Sequence, residues 1–329
     1  MSYSKNNTFE IKCLQYEIWQ DCNNGCSFCY LNQNRIFTSD ERKIENINKI
    51  IDNLDNDISD YNAVGLIGGE FFQGQLSNPD VKSNWLKLIQ KINSELLSDK
   101  IYEFWITASL MKEDLSDLYD TLDIFDFSKL NENQRILLCT SYDTLGRFHS
   151  EKQEKTWKKN IHLLAKKYPE LYIHTQIILS EDLIEKTIEN PNIFDEILEV
   201  SPIDFKIPNY YRDKELAING IKDYHQLLLD HINEFPKKFF IEHRNTFLQF
   251  LPVYAKIFGT AKLKNLINYP KMRSHTLKIF SENYELIDRW NYSEDRFSPC
   301  GHLLDGKCYI DSDKCMYCDI ERFIEAYED

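Results

Sequence analysis

Between residues 9 and 208 one unit recurs: an apolar run of strand length, then a stretch with helical spacing. The runs fall at 9–19, 63–67, 101–110, 135–143, 171–180 and 203–208. After the first, Ser39-Asp40-Glu41 offers a helix start with acid in its first turn, and Ile44, Ile47, Ile51 and Leu54 follow at three- and four-residue intervals. Trp85, Leu88, Ile89, Ile92 and Leu96 mark a second helix, and Leu115, Leu118 and Leu122 a third. Trp157, Ile161 and Leu164 place a fourth over 151–167, with Pro169 as its stop. Helical turns interrupted at Pro191 precede the sixth run.

Such alternation forces parallel pairing with right-handed crossovers, because each helix returns the chain to the same end of the sheet. A closed eight-unit barrel takes about 250 residues, and here about 210 residues carry six units. The expected fold is therefore α/β: a partial (β/α)6 TIM-type barrel over residues 1–213, open at one side to a substrate larger than a metabolite. After 213 the pattern changes. Residues 214–274 read as a mainly helical connecting segment. Residues 275–280 and 284–289 read as strands joined by the turn residues Ser281-Glu282-Asn283. That β-hairpin opens a small cysteine-rich region, 275–329.

Hydrophobic residues make up 42% of the 329, with 20 Phe and 19 Tyr, so the chain can bury a sizeable core. The net charge of −14 argues against an extended grip on nucleic acid or an anionic membrane, both of which call for a basic face. No apolar run approaches the roughly 20 residues that span a bilayer, and residues 1–7 lack the hydrophobic core of a signal peptide. The expected location is the cytoplasm, where nine cysteines serve as metal ligands or buried thiols rather than disulfides.

The cysteines are grouped. Cys22, Cys26 and Cys29 stand at CxxxCxxC spacing where the first strand ends. Three thiolates so close can hold three irons of a 4Fe-4S cluster, leaving the fourth iron open to an external molecule. A zinc site completed by another ligand is the structural alternative. No fourth ligand is close in sequence, and the carboxyl ends of strands are where barrel active sites assemble, so the redox cluster is favoured. Cys300, Cys308, Cys315 and Cys318 form a second group, suited either to tetrahedral zinc or to a second 4Fe-4S cluster; His302 is its neighbour. Cys13 and Cys139 stand alone in apolar runs and read as core thiols.

The first motif, with Phe28 just before its third cysteine, resembles the signature of the radical S-adenosylmethionine superfamily. Gly68-Gly69-Glu70, one strand–helix unit later, is similar to that family's GGE-type segment. The resemblance covers roughly residues 9–210. It implies that Cys22, Cys26 and Cys29 ligate the cluster. S-adenosylmethionine would bind the open iron, with Phe28 and Tyr30 near its adenine and Gly68, Gly69 and Glu70 at its amino group. Ser141, Asp143 and Arg147 would hold its ribose and carboxylate, with Thr107, Ser109 and Gln176 as weaker candidates. It also implies reductive cleavage to a 5′-deoxyadenosyl radical that abstracts hydrogen from a substrate, with electrons from a donor such as flavodoxin or ferredoxin. The late cysteines after a hairpin look like a shortened SPASM or Twitch auxiliary region, which favours iron–sulfur over zinc there and a peptide or protein side chain as substrate. A nucleoside or another small molecule is the alternative substrate. A non-catalytic binding protein stabilised by two zinc sites is the alternative of another class.

Overall fold

A computed structural model describes residues 12–26, 37–144, 146–178, 183, 186–187, 189–190 and 192–203, together with the backbone of strands at 203–206, 276–280, 286–288, 303–304 and 307–308. The elements are β1 (Lys12–Glu17), α1 (Asp40–Asp57), β2 (Ala63–Ile67), α2 (Pro79–Leu97), β3 (Glu103–Thr107), α3 (Ser116–Leu122), β4 (Arg135–Tyr142), α4 (Glu151–Lys167), β5 (Tyr172–Ile178), a helical turn at Asp195–Leu198, and β6 (Ile203–Lys206). Two further strands, β7 (Thr276–Phe280) and β8 (Leu286–Asp288), belong to the same sheet, and β9 (Leu303–Leu304) pairs with β10 (Lys307–Cys308).

The fold is mixed α/β. Strands β1 to β6 lie side by side in sequence order, each parallel to the next. A parallel sheet that grows in one direction with right-handed crossovers carries its helices on one face. The caps follow the chemistry expected of helix starts: Ser39 Oγ accepts Arg42 N, Asn78 Oδ1 accepts Asp80 N with Pro79 following, and Ser150 Oγ accepts Gln153 N.

Strand alternation divides the sheet. Leu14, Tyr16, Val64, Leu66, Phe104, Ile106, Ile136, Leu138, Ile173 and Ile177 join helix residues such as Ile47, Leu54, Trp85, Leu88, Trp157 and Ile161 in one buried core. The opposite face is more polar. There the strand register sets Glu17 opposite Ile67, and Thr107, Cys139 and His174 side by side across β3, β4 and β5. Cys13 is a fully buried thiol, as expected, but it lies on this second face, packed with Ala63 and Trp105 apart from the main core. Cys139 is only half-buried; Leu138 and Thr140 take the helix side, and the two-residue period sends 139 to the other face.

The hairpin expected near residue 280 is present, with Ile279 opposite Ile287. Its first strand also lies parallel beside β1, Cys13 opposite Leu277, so it is continuous with the main sheet. The helical reading of 214–274 lies outside the described residues.

Candidate metal centre

The cluster loop departs from β1 and is tied down before its first cysteine. Pairing between β1 and β2 runs past both strands: Ile18 N donates to Ile67 O at 3.3 Å, Gly69 N to Trp19 O at 2.9 Å and Glu70 N to Asp21 O at 2.7 Å. The two backbones are so close that no side chain fits at the glycines. A Cβ on Gly68 would lie 2.2 Å from Trp19 O, and one on Gly69 2.0 Å from Asp21 O. Trp19 completes the anchor: Nε1 donates to Glu70 O at 2.8 Å, and its ring packs on Phe71 and Trp85 at centroid distances of 5.2 and 5.7 Å. Gly68 and Gly69 thus fix the start of the loop.

Asp21 closes it from the other side. One carboxylate oxygen accepts Thr38 N at 2.6 Å, beyond the last cysteine of the motif, and the other pairs with Lys43 Nζ of α1 at 2.8 Å. Asn46 Nδ2, one turn further along α1, donates to Ile18 O at 2.8 Å.

Cys22 is half-buried and Cys26 buried, joined through Gly25, whose φ of 64° is the left-handed region glycine supplies at least cost. Burial pushes the Cys22 thiol up from its ordinary value; an Asn24 backbone hydrogen bond opposes this, the Glu70 and Cys26 charges add to it, and Arg147 opposes it. Cys29, Phe28 and Tyr30 lie outside the described residues.

Ser109, just past β3, joins the other groups. Its N–H donates to Glu70 Oε2 at 2.8 Å, its hydroxyl accepts from Gln73 Nε2 at 2.8 Å, and its carbonyl accepts from Arg147 Nη2 at 3.2 Å. Glu70 Oε1 accepts the amides of Phe71 and Phe72 at 3.1 and 3.0 Å. The buried carboxylate therefore receives three backbone N–H groups and braces the ends of β2 and β3. Gln73 also donates to Asn24 Oδ1 inside the cysteine motif, and His149 Nε2 contacts Asn24 O. Next to this hub, Leu110 has φ 58°, a left-handed conformation that costs a bulky residue about 1–3 kcal/mol. Asn160 of α4 holds it there, donating to Leu110 O at 2.9 Å and Lys112 O at 2.7 Å.

The turn after β4 presents Arg147. Asp143 is fully buried and accepts the amides of Thr144 and Gly146, both at 2.8 Å, which shapes that turn. The Arg147 guanidinium is 7% exposed; Nη1 lies 4.0 Å from Cys26 Sγ, and Nε has no hydrogen-bond partner among the described residues.

Of the sequence candidates, Cys22, Cys26, Gly68, Gly69, Glu70, Asp143 and Arg147 therefore meet around one loop. Ser141 stands apart, half-buried near the carboxyl end of β4 and opposite Gln176 in register. Cys300, Cys315 and Cys318 lie outside the described residues, and Cys308 is placed only as backbone in β10. Sequence reasoning missed Asn24, Gln73 and His149. Asn24 lies within the cysteine motif and Gln73 three residues after Glu70, so position relative to the two motifs was the one signal available.

Residues 11–156 match the family model of a 4Fe-4S single cluster domain. A 4Fe-4S cluster-binding domain is present. The matched segment runs from β1 into α4; it contains Cys22, Cys26, Cys29, Gly68-Gly69-Glu70 and Arg147, and it ends before the late cysteines. No curated protein matches the chain. The donor set suits the group this domain takes: two thiols on one braced loop, beside a buried cation whose Nε has no partner among the described residues. No helix among the described residues is long and apolar enough to cross a membrane.

Proposed function

We propose that this protein is a radical S-adenosylmethionine enzyme. The observation that carries the reading is the convergence of the Cys22–Cys26 loop, the Gly68-Gly69-Glu70 segment and Arg147 at the carboxyl ends of neighbouring parallel strands, inside the matched iron–sulfur domain. On this reading the sheet is part of a partial TIM-type barrel, with the polar face away from the helices turned to the substrate.

Cys22, Cys26 and Cys29 would hold three irons. Bound there, the cluster and S-adenosylmethionine would supply reductive cleavage of the sulfonium and a 5′-deoxyadenosyl radical for hydrogen abstraction. The chain's own residues bind and orient. Because the Glu70 carboxylate is taken up by three backbone amides, recognition of the methionyl ammonium falls to backbone carbonyls of Gly68 and Gly69, on a shelf that Glu70 braces. Phe28 and Tyr30 would lie against adenine. Asp143 would act through the turn it shapes, and Ser141 from the polar face of β4. Half-buried Thr107, Cys139, His174 and Gln176 would line the substrate side. Cys300, Cys308, Cys315 and Cys318 would hold a second 4Fe-4S cluster, or zinc. The substrate class is a peptide or protein side chain, the electron donor a flavodoxin or ferredoxin, and the location cytoplasmic.

Anaerobically reconstituted full-length protein tests this. About eight irons per chain are expected for two 4Fe-4S clusters, with 5′-deoxyadenosine released from S-adenosylmethionine under dithionite. Cys26→Ala should abolish that product, and Cys315→Ala should leave some of it. Two zinc ions with little iron, or no 5′-deoxyadenosine from fully loaded protein, would sink the reading.

A further inference from the structure

Arg147 has a position that coenzyme binding alone does not explain. A guanidinium keeps its charge at any pH a protein meets, and a buried charge is stable only when compensated. Arg147 is 7% exposed and forms no ion pair with any described residue. The carboxylate of Glu70 faces backbone amides instead. Arg147 has the Ser109 carbonyl at Nη2, the Cys26 sulfur 4.0 Å from Nη1, and no partner at Nε. The turn that carries it is pinned by Asp143, so the guanidinium is held beside the sulfur before any ligand arrives.

The anion that the position fits is a thiolate-ligated cluster. A 4Fe-4S core on cysteine thiolates is negatively charged overall and gains one more negative charge when it accepts an electron. Net charge and hydrogen bonds to the sulfurs are what set such a cluster's potential. We propose that Arg147 is the residue that poises the reduction potential of the cluster on Cys22, Cys26 and Cys29, favouring its reduced form through a fixed positive charge and an N–H donor on the Cys26 sulfur. This rests on the placement of the cluster in that loop. The step is a one-electron transfer from an external low-potential donor, a reduced flavin or iron–sulfur protein, or dithionite in vitro. The cluster gains the electron, and no proton moves, because Arg147 is protonated in both states.

The test is an EPR-monitored potentiometric titration of reconstituted full-length protein, with iron counted in each sample. The signal absent from Cys26→Ala is that of the N-terminal cluster. In Arg147→Gln with wild-type iron content, the reduced-to-oxidised ratio of that signal at fixed potential should fall about tenfold, a shift of ~59 mV to more negative potential for a one-electron couple. Arg147→Lys keeps the charge without the planar fork and should fall between the two; it decides the matter if Arg147→Gln takes up no iron. Midpoints identical to wild type in the iron-loaded variants overturn the proposal. Wild-type protein that binds no iron overturns the cluster placement itself, so the two failures are distinguishable.

Discussion

Lys43 and Asp21 form an ion pair of 2.8 Å in which neither side chain is as much as a tenth exposed. Since Asp21 also accepts Thr38 N, this pair joins both ends of the cluster loop to α1. Removing Asp21 leaves the buried Lys43 ammonium with only the half-exposed Asp40 carboxylate at 3.5 Å, so the cost approaches the about 3–5 kcal/mol of stranding a buried charge. Asp21→Ala is therefore expected to lower unfolding free energy by that order and to reduce iron uptake, measured by urea denaturation and iron content. The double variant Asp21→Asn, Lys43→Met should be less damaging than Asp21→Ala, since no buried charge is stranded.

Gly69→Ala tests the anchor of the loop. Its Cβ would meet Asp21 O at 2.0 Å, so one backbone must move. A loss of about 3 kcal/mol is expected, with iron content falling at the same time. A variant that melts and loads like wild type would show that the two backbones are not held as close as described.

Glu70→Gln separates a brace from a ligand contact. The carboxylate accepts three amides, and an amide side chain turns one acceptor into a donor facing an N–H. The expected cost is about 1–3 kcal/mol of stability, visible in apo protein by denaturation. Unchanged stability together with weakened S-adenosylmethionine binding would instead assign Glu70 to the coenzyme directly.

A pH effect is expected far from the site. Hydrogen bonds from Lys100 and then Lys91 lower the Asp55 carboxyl from its ordinary value near 3.8 to about 2. Asp55 on α1 thereby connects to α2 and the turn after it. A lowered folded pKa stabilises above the ordinary value, and that contribution is lost as pH falls from about 4 through about 2. Asp55 is half exposed, so the effect is at most about 1 kcal/mol. Asp55→Asn should be slightly less stable than wild type at pH 7, and the difference should close towards pH 2; acid denaturation curves of the two proteins check this.

The strand–helix order was legible because burial on a parallel sheet leaves short continuous apolar runs, and the helices show their own period and caps. All six expected strands are present, near the expected positions. The attachment of β7 to β1 was not legible, since nothing in a strand's sequence names a neighbour so distant in the chain. At the site, thiol spacing and paired glycines stood out because so few residue types can replace them. The structure gives Gly68 and Gly69 a nearer reason than ligand approach: contact with the backbone of Trp19 and Asp21. Asn24, Gln73 and His149 belong to no motif, and contacts between loops of different units have no period to betray them. Cys139 read as core because its neighbours are apolar, but a run that is apolar throughout does not reveal which face each residue takes.

The pairing of β7 with β1 bears on how the protein is made. During synthesis β1 emerges well before the strand that covers its outer edge, which is translated long after β6. Until then the strand that feeds the cluster loop has an open edge, able to pair with another chain. Shortening the gene to the matched iron–sulfur segment would make that nascent condition permanent.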